Sequence, residues 1–405
     1  MRTIKFSPPK IISSILIAFS FSDTLKNNTT WLYPFIVMSL FVILALVYIL
    51  KRNQFSLSSD RVRNAVYPLK YAFVPYLVIF VYSLIVIFIK HYGTKNIYRC
   101  IGSSGSAMIL TIICASLMYL YGEESIDIFC NGLILEYIAV TMIGISKVGI
   151  GGLVEHIINP LNTYEKIFEK HATGFALFLF LIIYFIDSPK KHRRKIILII
   201  FLEYLILKRV AVIGVVFAFF VYIITDVILK KKGMFKYKVV FWGLFVLAVG
   251  YVFFTNSVEF QLLTYQLGIL NRSLFVNALD EFYSITPGFW GNGYGFVSVV
   301  IPNMNIAGVL GIEALHNDIL KDFIELGFWG FILLYFYFFV RIPHKYCQDG
   351  HEKIVATVMA LLCYTLVTLS TDNPFDYTSY MGALIVILTS LKIKSDNTVK
   401  YSVEN

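Results

Sequence analysis

Residues 71–89 read YAFVPYLVIFVYSLIVIFI, and no charged side chain interrupts this stretch. A helix rises about 1.5 Å per residue, so about 20 apolar residues cross the roughly 30 Å hydrocarbon core of a bilayer. Residues 71–89 therefore predict a membrane-spanning helix. Further apolar runs occur along the chain near residues 11–25, 31–50, 101–121, 126–146, 174–187, 196–207, 210–229, 239–255, 327–340, 354–371 and 377–391.

The composition agrees with this pattern. Of the 405 residues, 58% are hydrophobic and only 15% are charged, whereas a soluble globular domain is about half apolar and about a quarter charged. This balance excludes a soluble enzyme and predicts an all-α, polytopic transmembrane helical bundle with about 12 transmembrane helices. Because no repeat or low-complexity linker divides the chain, we expect residues 1–405 to form a single integral membrane domain.

Basic residues predict how the helices are oriented. With a cytoplasmic N-terminus and twelve alternating spans, 24 of the 35 Lys and Arg residues fall on the cytoplasmic side, as the positive-inside rule requires. Both termini are then cytoplasmic, and residues 11–21 belong to an uncleaved first helix. The same arrangement leaves Lys90, Lys95 and Arg99 on the outer side.

Several other classes of function find little support in the sequence. The formal charge of +10 lies in clusters between apolar runs and forms no basic face with stacking aromatics, so no nucleic-acid partner is expected. The five cysteines show no Cys-x-x-Cys spacing, so neither a disulfide framework nor a zinc site is predicted. No nucleotide or metal motif is present in the sequence, and we expect neither a cofactor nor a metal.

Two long loops are predicted on the outer side, near residues 147–173 and 256–326. The second is a large periplasmic or extracellular loop in which we expect short amphipathic helices, and function is most economically placed there. It contains the sequence GIEALHNDILKDFIELG at residues 311–327. On a helical wheel, His316 lies on the apolar arc and the charged residues lie opposite. We expect this helix to lie along the membrane surface or to cap the bundle, with His316 pointing inward as a core histidine or as a functional group.

Two further segments carry residues of interest. Residues 287–295 read PGFWGNGYG, and glycines at this density indicate either a tight turn or a backbone that approaches a ligand closely. Lys208 and Arg209 directly follow a short apolar run, so they are predicted at membrane depth, where charged groups usually face a cavity or a partner. Either Glu203 pairs with these cations, or they bind an anionic lipid headgroup.

The sequence also resembles a known family at these positions. His316 and Asn317 are followed after nine residues by Gly327 and after two more by Gly330, a pattern similar to that of the bacterial O-antigen ligase and Wzy-type polysaccharide polymerase superfamily. A long late external loop, a glycine-rich segment before the histidine and about twelve helices match the same family. The resemblance covers about residues 205–340, and it places the family's two arginines on Arg272 and Arg209, although Lys208 replaces the Ser that usually precedes the second.

The resemblance implies a metal-independent glycosyltransferase in the bacterial cytoplasmic (inner) membrane. Its donor would be an undecaprenyl-diphosphate-linked glycan, and the product an O-antigen or capsular polysaccharide. Membrane lipids, a chain-length regulator and a flippase are the other partners that it implies. His316 would accept the proton of the acceptor hydroxyl or orient the diphosphate, and the two arginines would stabilise the departing diphosphate. The candidate substrate-binding residues are Lys208, Asn317, Gly291, Gly293 and Gly295.

The sequence leaves two alternative functions open. A ligase would use the same donor but would transfer the glycan to lipid A core or to a protein, and the sequence motif does not separate it from a polymerase. A flippase for lipid-linked oligosaccharides belongs to a different class, whose members often show paired halves and helices broken near the bilayer midplane. The sequence shows no internal repeat, and its polar residues collect in a loop, which favours the enzyme.

Overall fold

A computed structural model describes residues 8–21, 59–159, 165–168, 170–206, 208–232, 237–266, 270–304, 315–347 and 352–404. Helix accounts for 89% of the described structure and no strand occurs in it, which confirms the all-α class. The apolar run predicted at residues 31–50 lies outside the described residues, as do residues 305–314 of the predicted external loop.

The α-helices are numbered here in chain order. They are α1 (Pro8–Ser20), α2 (Ser59–Pro68), α3 (Val74–Ile89), α4 (Thr94–Tyr121), α5 (Ser125–Ile158), α6 (Glu165–Phe168), α7 (His171–Asp187), α8 (Pro189–Ile206), α9 (Arg209–Lys232), α10 (Tyr237–Thr255), α11 (Val258–Gln266), α12 (Leu270–Leu279), α13 (Phe296–Val300), α14 (Asp318–Phe336), α15 (Ile342–Cys347), α16 (Glu352–Leu369) and α17 (Thr378–Glu404). Short 3₁₀ segments occupy Gly122–Glu124, Asp280–Phe282, Ile301–Asn303 and Pro374–Asp376, and π-helical turns occupy Leu69–Phe73 and Tyr337–Arg341.

Helices long and apolar enough to cross a membrane are present, as the hydropathy predicts. Among the described residues there are six, at Asp60–Ile89, Thr94–Ile158, Arg209–Val227, Lys238–Thr255, Asp318–Tyr346 and Glu352–Leu369. They correspond to seven of the predicted runs, because Thr94–Ile158 includes two of them. Helices α1 and α7 are apolar but shorter. The chain is therefore compatible with a membrane protein, while the predicted count of about 12 spans is not confirmed.

The chain forms two compact units. One is drawn from the described residues within Met1–Lys70, Ile109–Val216 and Tyr377–Asn405, and the other from those within Tyr71–Met108 and Phe217–Asp376.

Helix α7 forms the core of the first unit. It is apolar on every side, with residues 173–184 all buried, and it packs against α5, α8 and α17. A helix without a polar face is stable only when it is surrounded, which explains its central place. Helix α1 packs closely on α5, where Gly132 leaves room for the side chain of Ile17 and the carbonyl of Ser14.

Ion pairs join several polar segments of the first unit. Lys10 pairs with Glu124 at 2.6 Å, Lys195 with Asp127 at 2.5 Å and Lys394 with Asp187 at 2.5 Å. These residues lie in or directly beside the segments 1–10, 122–125, 188–195 and 392–405, which the charge distribution places on one side of the membrane. The contacts agree with a common side for these segments, and the identity of that side stays a prediction.

The second unit is built around α14. This helix packs against α3, α10 and α13, while α16 packs against α10 and α11 against α12. Buried aromatic rings along α14 form its core, with the centroids of Phe331 and Tyr335 at 4.3 Å. The unit also contains α11, α12 and α13, which are short helices within the segment predicted as an external loop.

We predict that the Gly132→Ala substitution destabilises the first unit. A Cβ atom at this position would lie 2.5 Å from a methyl carbon of Ile17 and 2.9 Å from the Ser14 carbonyl oxygen, so α1 must move away from α5. Overpacking of this kind costs about 1–3 kcal/mol. The matched control is Gly243→Ala in α10, where nothing lies within 4 Å and the added methyl should stabilise the helix slightly. Thermal unfolding of both variants in detergent measures the difference, and equal melting temperatures would contradict the packing described.

Candidate functional site

The candidate site surrounds the start of α14. The helix was predicted over residues 311–327, but it begins at Asp318, and residues 311–314 lie outside the described residues. Asn317 is the N-cap, and its side-chain oxygen accepts a hydrogen bond from the Leu320 backbone N–H at 3.1 Å. Asparagine is among the best N-cap residues because this bond satisfies a backbone donor that the first turn leaves free. The first of the two motif glycines, Gly327, interrupts the helix with φ 71° and ψ −177°.

His316 lies directly before this cap in an unusual backbone conformation. Its φ is +50°, a left-handed value that a residue with a Cβ adopts only when the surroundings hold it there. The ring atom Nδ1 lies 3.1 Å from Oδ1 of Asp372, and the two side chains are 39% and 8% exposed. The histidine is therefore neither buried in the apolar core nor free in solvent, since a largely buried carboxylate holds the Nδ1 edge of its ring.

The loop after α16 holds the start of α14 in place. Asp372 and Asn373 reach it through two bonds: the Asp372 carbonyl accepts from the Asp318 N–H at 3.2 Å, and the Asn373 side chain accepts from the Asn317 N–H at 3.0 Å. Within the loop, Asp372 Oδ1 accepts from the Asn373 N–H at 2.8 Å. The Phe375 N–H donates to the Asp318 carboxylate at 2.7 Å. No prediction from the sequence includes this loop, although a polar Asp-Asn-Pro turn between two apolar runs is a detectable signal.

The charged residues of α14 are buried, which corrects the prediction of a helix with a solvated polar face. Asp318, Lys321, Asp322 and Glu325 are each at most 3% exposed. Buried charges persist only when they are paired and hydrogen-bonded, and here one ammonium serves several carboxylates. Lys321 Nζ lies 2.5 Å from both carboxylate oxygens of Asp376 and 3.7 Å from Asp318.

The other two carboxylates of the cluster bind neutral donors. The Tyr335 hydroxyl donates to Asp322 at 3.0 Å, and the Val297 backbone N–H donates to Glu325 at 3.0 Å. The Lys321 ammonium also lies 5.7 Å from the ring centroid of Tyr294, and burial raises the pKa of that tyrosine. The cluster therefore ties α14 to the loop after α16 through Asp376 and to α13 through Glu325.

The glycine-rich segment lies against the break in α14. Gly291 has φ +79°, and a Cβ there would lie 2.5 Å from the Glu325 carbonyl oxygen and 2.6 Å from the Leu326 carbonyl carbon. The Phe328 N–H donates to the Phe289 carbonyl at 2.8 Å across the same contact. Gly291 thus permits a close approach of the segment to the helix backbone, so the structure assigns it a packing role.

Gly293 and Gly295 make comparable contacts with the preceding part of the unit. Gly293 packs on Ile87, and its N–H donates to the Glu325 carbonyl at 2.8 Å. Gly295 packs on Arg99, with the position of a Cβ lying 2.9 Å from Cγ of that side chain. A role of these glycines, or of the cap residue Asn317, in binding substrate stays a prediction.

The predicted cations are distributed over both units. Arg272 lies in the first turn of α12 in the second unit, and its side chain is outside the described residues. In the first unit, Arg209 is the exposed first residue of α9, and the half-buried Lys208 has its ammonium 5.6 Å from the ring centroid of Phe175. Both carboxylate oxygens of Glu203 are buried without a hydrogen-bond partner in the described part of the chain, so the hydrogen-bonded ion pair considered from the sequence does not form there.

Comparison with known proteins does not assign the chain to a family. No protein-family model matches the sequence, and no curated protein matches it either. Within the described residues, no group of three or more His, Cys, Asp or Glu side chains is arranged to hold a metal ion. The candidate site consequently depends on the contacts of His316, Asp372 and the charged cluster themselves.

We predict that Lys321→Met destabilises the second unit strongly. Removal of the ammonium leaves the carboxylates of Asp318 and Asp376 without their shared cation, and breaking a buried ion pair from one side costs about 3–5 kcal/mol. The control is Lys238→Met in α10, an exposed lysine whose loss should change stability by no more than about 0.5 kcal/mol. Unfolding in detergent followed by circular dichroism measures both effects. A Lys321→Met variant as stable as the control would mean that the cluster is held by other groups.

Proposed function

We propose that the protein is a membrane glycosyltransferase that extends a polysaccharide from lipid-linked units, with His316 as its general base. The observation that carries this proposal is the pairing of His316 with Asp372 in a segment of strained backbone. The resemblance of the motif from His316 to Gly330 to the Wzy and O-antigen ligase superfamily supports the same conclusion.

The geometry of the pair suits general-base catalysis. An ionised carboxylate has no proton to donate, so Asp372 can only accept, and Nδ1 of His316 then carries the ring proton. The second ring nitrogen, Nε2, consequently has a lone pair with which to accept a proton. A buried carboxylate that orients a histidine in this way also stabilises the imidazolium that forms during the reaction.

The proposed reaction is a transfer of a glycan from a diphosphate to a hydroxyl. The acceptor hydroxyl oxygen attacks the anomeric carbon of the donor glycan and forms the new glycosidic bond, while its proton passes to His316 Nε2. The bond between that carbon and the phosphate oxygen breaks, and its electron pair leaves with the lipid diphosphate. General-base assistance of this kind contributes roughly 10²–10⁴-fold to the rate.

The departing diphosphate requires positive charge. Arg272 is the candidate within the same unit as His316, since a guanidinium binds two phosphate oxygens at once through its planar donors. The backbone of Arg272 lies in the first turn of α12, and the contact of its side chain with the diphosphate is part of the proposal. The roles of Arg209 and Lys208 in substrate binding stay predictions from the sequence.

The setting of the enzyme is proposed from the hydropathy and the charge pattern. The six candidate membrane helices are compatible with a multi-pass protein. About twelve spans, both termini in the cytoplasm and the site on the outer side of the bacterial cytoplasmic membrane complete the proposal. The donor would then be undecaprenyl-diphosphate-linked oligosaccharide, which such a site can take directly from the bilayer. The acceptor would be a second lipid-linked repeat unit.

We predict that His316→Ala and Arg272→Ala abolish polymer extension in the native host after deletion of its own gene. Asp372→Asn should reduce extension by about 10²-fold, because an amide can turn its donor toward Nδ1 and favour the wrong tautomer. Asp372→Glu keeps the charge and should restore part of the activity. The readout is the length of surface polysaccharide on a gel, with the abundance of each variant in the membrane measured in parallel.

The control variant is Asp280→Asn, which removes an exposed carboxylate of the same unit and should leave polymer length unchanged. Single repeat units at the surface after gene deletion support a polymerase. Long polymer that accumulates on its lipid carrier, with none attached at the surface, would identify a ligase instead. Polymer of normal length from His316→Ala at normal abundance would reject the assignment of the site.

A further inference from the structure

A basic turn connects α3 to α4 in the second unit. Lys90 caps α3, His91 reverses the chain with φ +54°, and the Tyr92 N–H bonds back to the Ile87 carbonyl at 3.1 Å. Lys95 and Arg99 follow in the first two turns of α4, where both are exposed. We name Lys90, Lys95 and Arg99 the basic turn.

No carboxylate neutralises the basic turn in the part of the chain that the structure describes. Lys90 Nζ donates to the neutral side-chain oxygen of Asn292 at 2.6 Å, and the Tyr92 hydroxyl donates to the same atom at 2.8 Å. Partial burial without an anionic partner lowers the pKa of Lys90. An anion bound beside Lys90 would offset that effect.

The placement of Lys95 and Arg99 is unfavourable for the helix itself. Cations at a helix N-terminus oppose the macrodipole, and like charges four residues apart repel each other. Neither side chain has an ion pair in the described structure that would offset this repulsion. An anionic ligand would relieve both effects at once.

The basic turn marks the end of an apolar surface. Ile85, Phe88 and Ile89 near the end of α3 are 52%, 62% and 71% exposed, as expected of side chains that face lipid. Beside the cations, Tyr98 is 75% and Trp290 is 66% exposed, and these two residue types concentrate at the membrane–water interface. This arrangement is the one expected of cations at the level at which lipid headgroups carry their phosphates.

The basic turn is also joined to the candidate site. Asn292, which holds Lys90, is 2% exposed, and its N–H donates to the Glu325 carbonyl of α14 at 3.1 Å. Arg99 packs against Gly295 of the same glycine-rich segment. The segment thus connects the basic turn to the helix that begins beside His316.

We propose that the basic turn binds the phosphate group of a membrane lipid, with Lys95 and Arg99 as the exposed contacts and Lys90 held in place by Asn292. The shared chemistry is a phosphate at the interface, which either a polyprenyl phosphate or a bilayer phospholipid presents. Only the identification of that lipid as the glycan donor rests on the function proposed above.

The test uses the full-length protein in dodecyl maltoside micelles, which carry no phosphate, and undecaprenyl phosphate, phosphatidylglycerol or undecaprenol is added to them. Native mass spectrometry counts the added lipid that the released protein retains. We expect Lys95→Gln/Arg99→Gln to retain undecaprenyl phosphate about tenfold more weakly than wild type, because each charged hydrogen bond contributes substantially. Undecaprenol, which lacks the phosphate, should be retained equally by both proteins.

The matched control is Lys190→Gln/Arg194→Gln, which removes an exposed Lys and Arg with the same spacing from the first turns of α8. It should bind like wild type, and circular dichroism checks that both double variants are folded. Equal losses in both double variants, or no loss in Lys95→Gln/Arg99→Gln, would overturn the proposal.

Stronger retention of undecaprenyl phosphate than of phosphatidylglycerol identifies a polyprenyl ligand, and equal retention identifies a general phosphate site. His316→Ala should keep full binding, so the outcome is independent of whether the proposed reaction is correct.

Discussion

The second unit depends on the ion pairs that the buried ammonium of Lys321 makes with the carboxylates around it. Five carboxyl groups lie on or beside the first turns of α14, and a single buried cation contacts two of them directly, those of Asp318 and Asp376. Because Asp376 comes from the loop after α16, the same pairing that makes the helix charges tolerable also draws that loop onto the helix start. Asp372 lies four residues earlier in this loop. The carboxylate that contacts His316 and the one that pairs with Lys321 thus belong to the same loop.

A second constraint acts on the backbone at Gly291 and Gly327. Both have positive φ, and each occupies the space that a Cβ of the other would need. Only glycine permits this approach without strain, so the glycine-rich segment can pass across the break in α14 and donate to carbonyls at the helix end. Through Asn292 the contact extends to Lys90, which places the basic turn and the start of α14 on one continuous framework of hydrogen bonds.

These contacts show the role of Gly291 in packing. A glycine-rich segment in a sequence suggests a backbone that approaches a ligand, yet here the atoms in contact with Gly291 belong to the protein itself. The chemistry in the proposed function consequently falls on His316, Asp372 and Arg272. The proposed binding of phosphate falls on side chains of the turn between α3 and α4. In each place a buried polar side chain holds an exposed one, Asp372 beside His316 and Asn292 beside Lys90, which is an arrangement that pre-organises a site.

The sequence by itself determined the all-helical class and predicted long apolar helices compatible with a membrane protein, because apolar runs of about 20 residues with few charges are stable in lipid as helices. It also singled out His316, through the spacing of the motif that ends at Gly327 and Gly330. It did not determine that the polar face of α14 is buried. Helical periodicity shows which residues share one face of a helix, but it does not show whether protein or solvent lies against that face. The partnership of His316 with Asp372 was equally inaccessible. The two residues are 56 positions apart, and only the packing of the loop after α16 onto α14, driven by the pairing of buried charges, brings them within hydrogen-bonding distance.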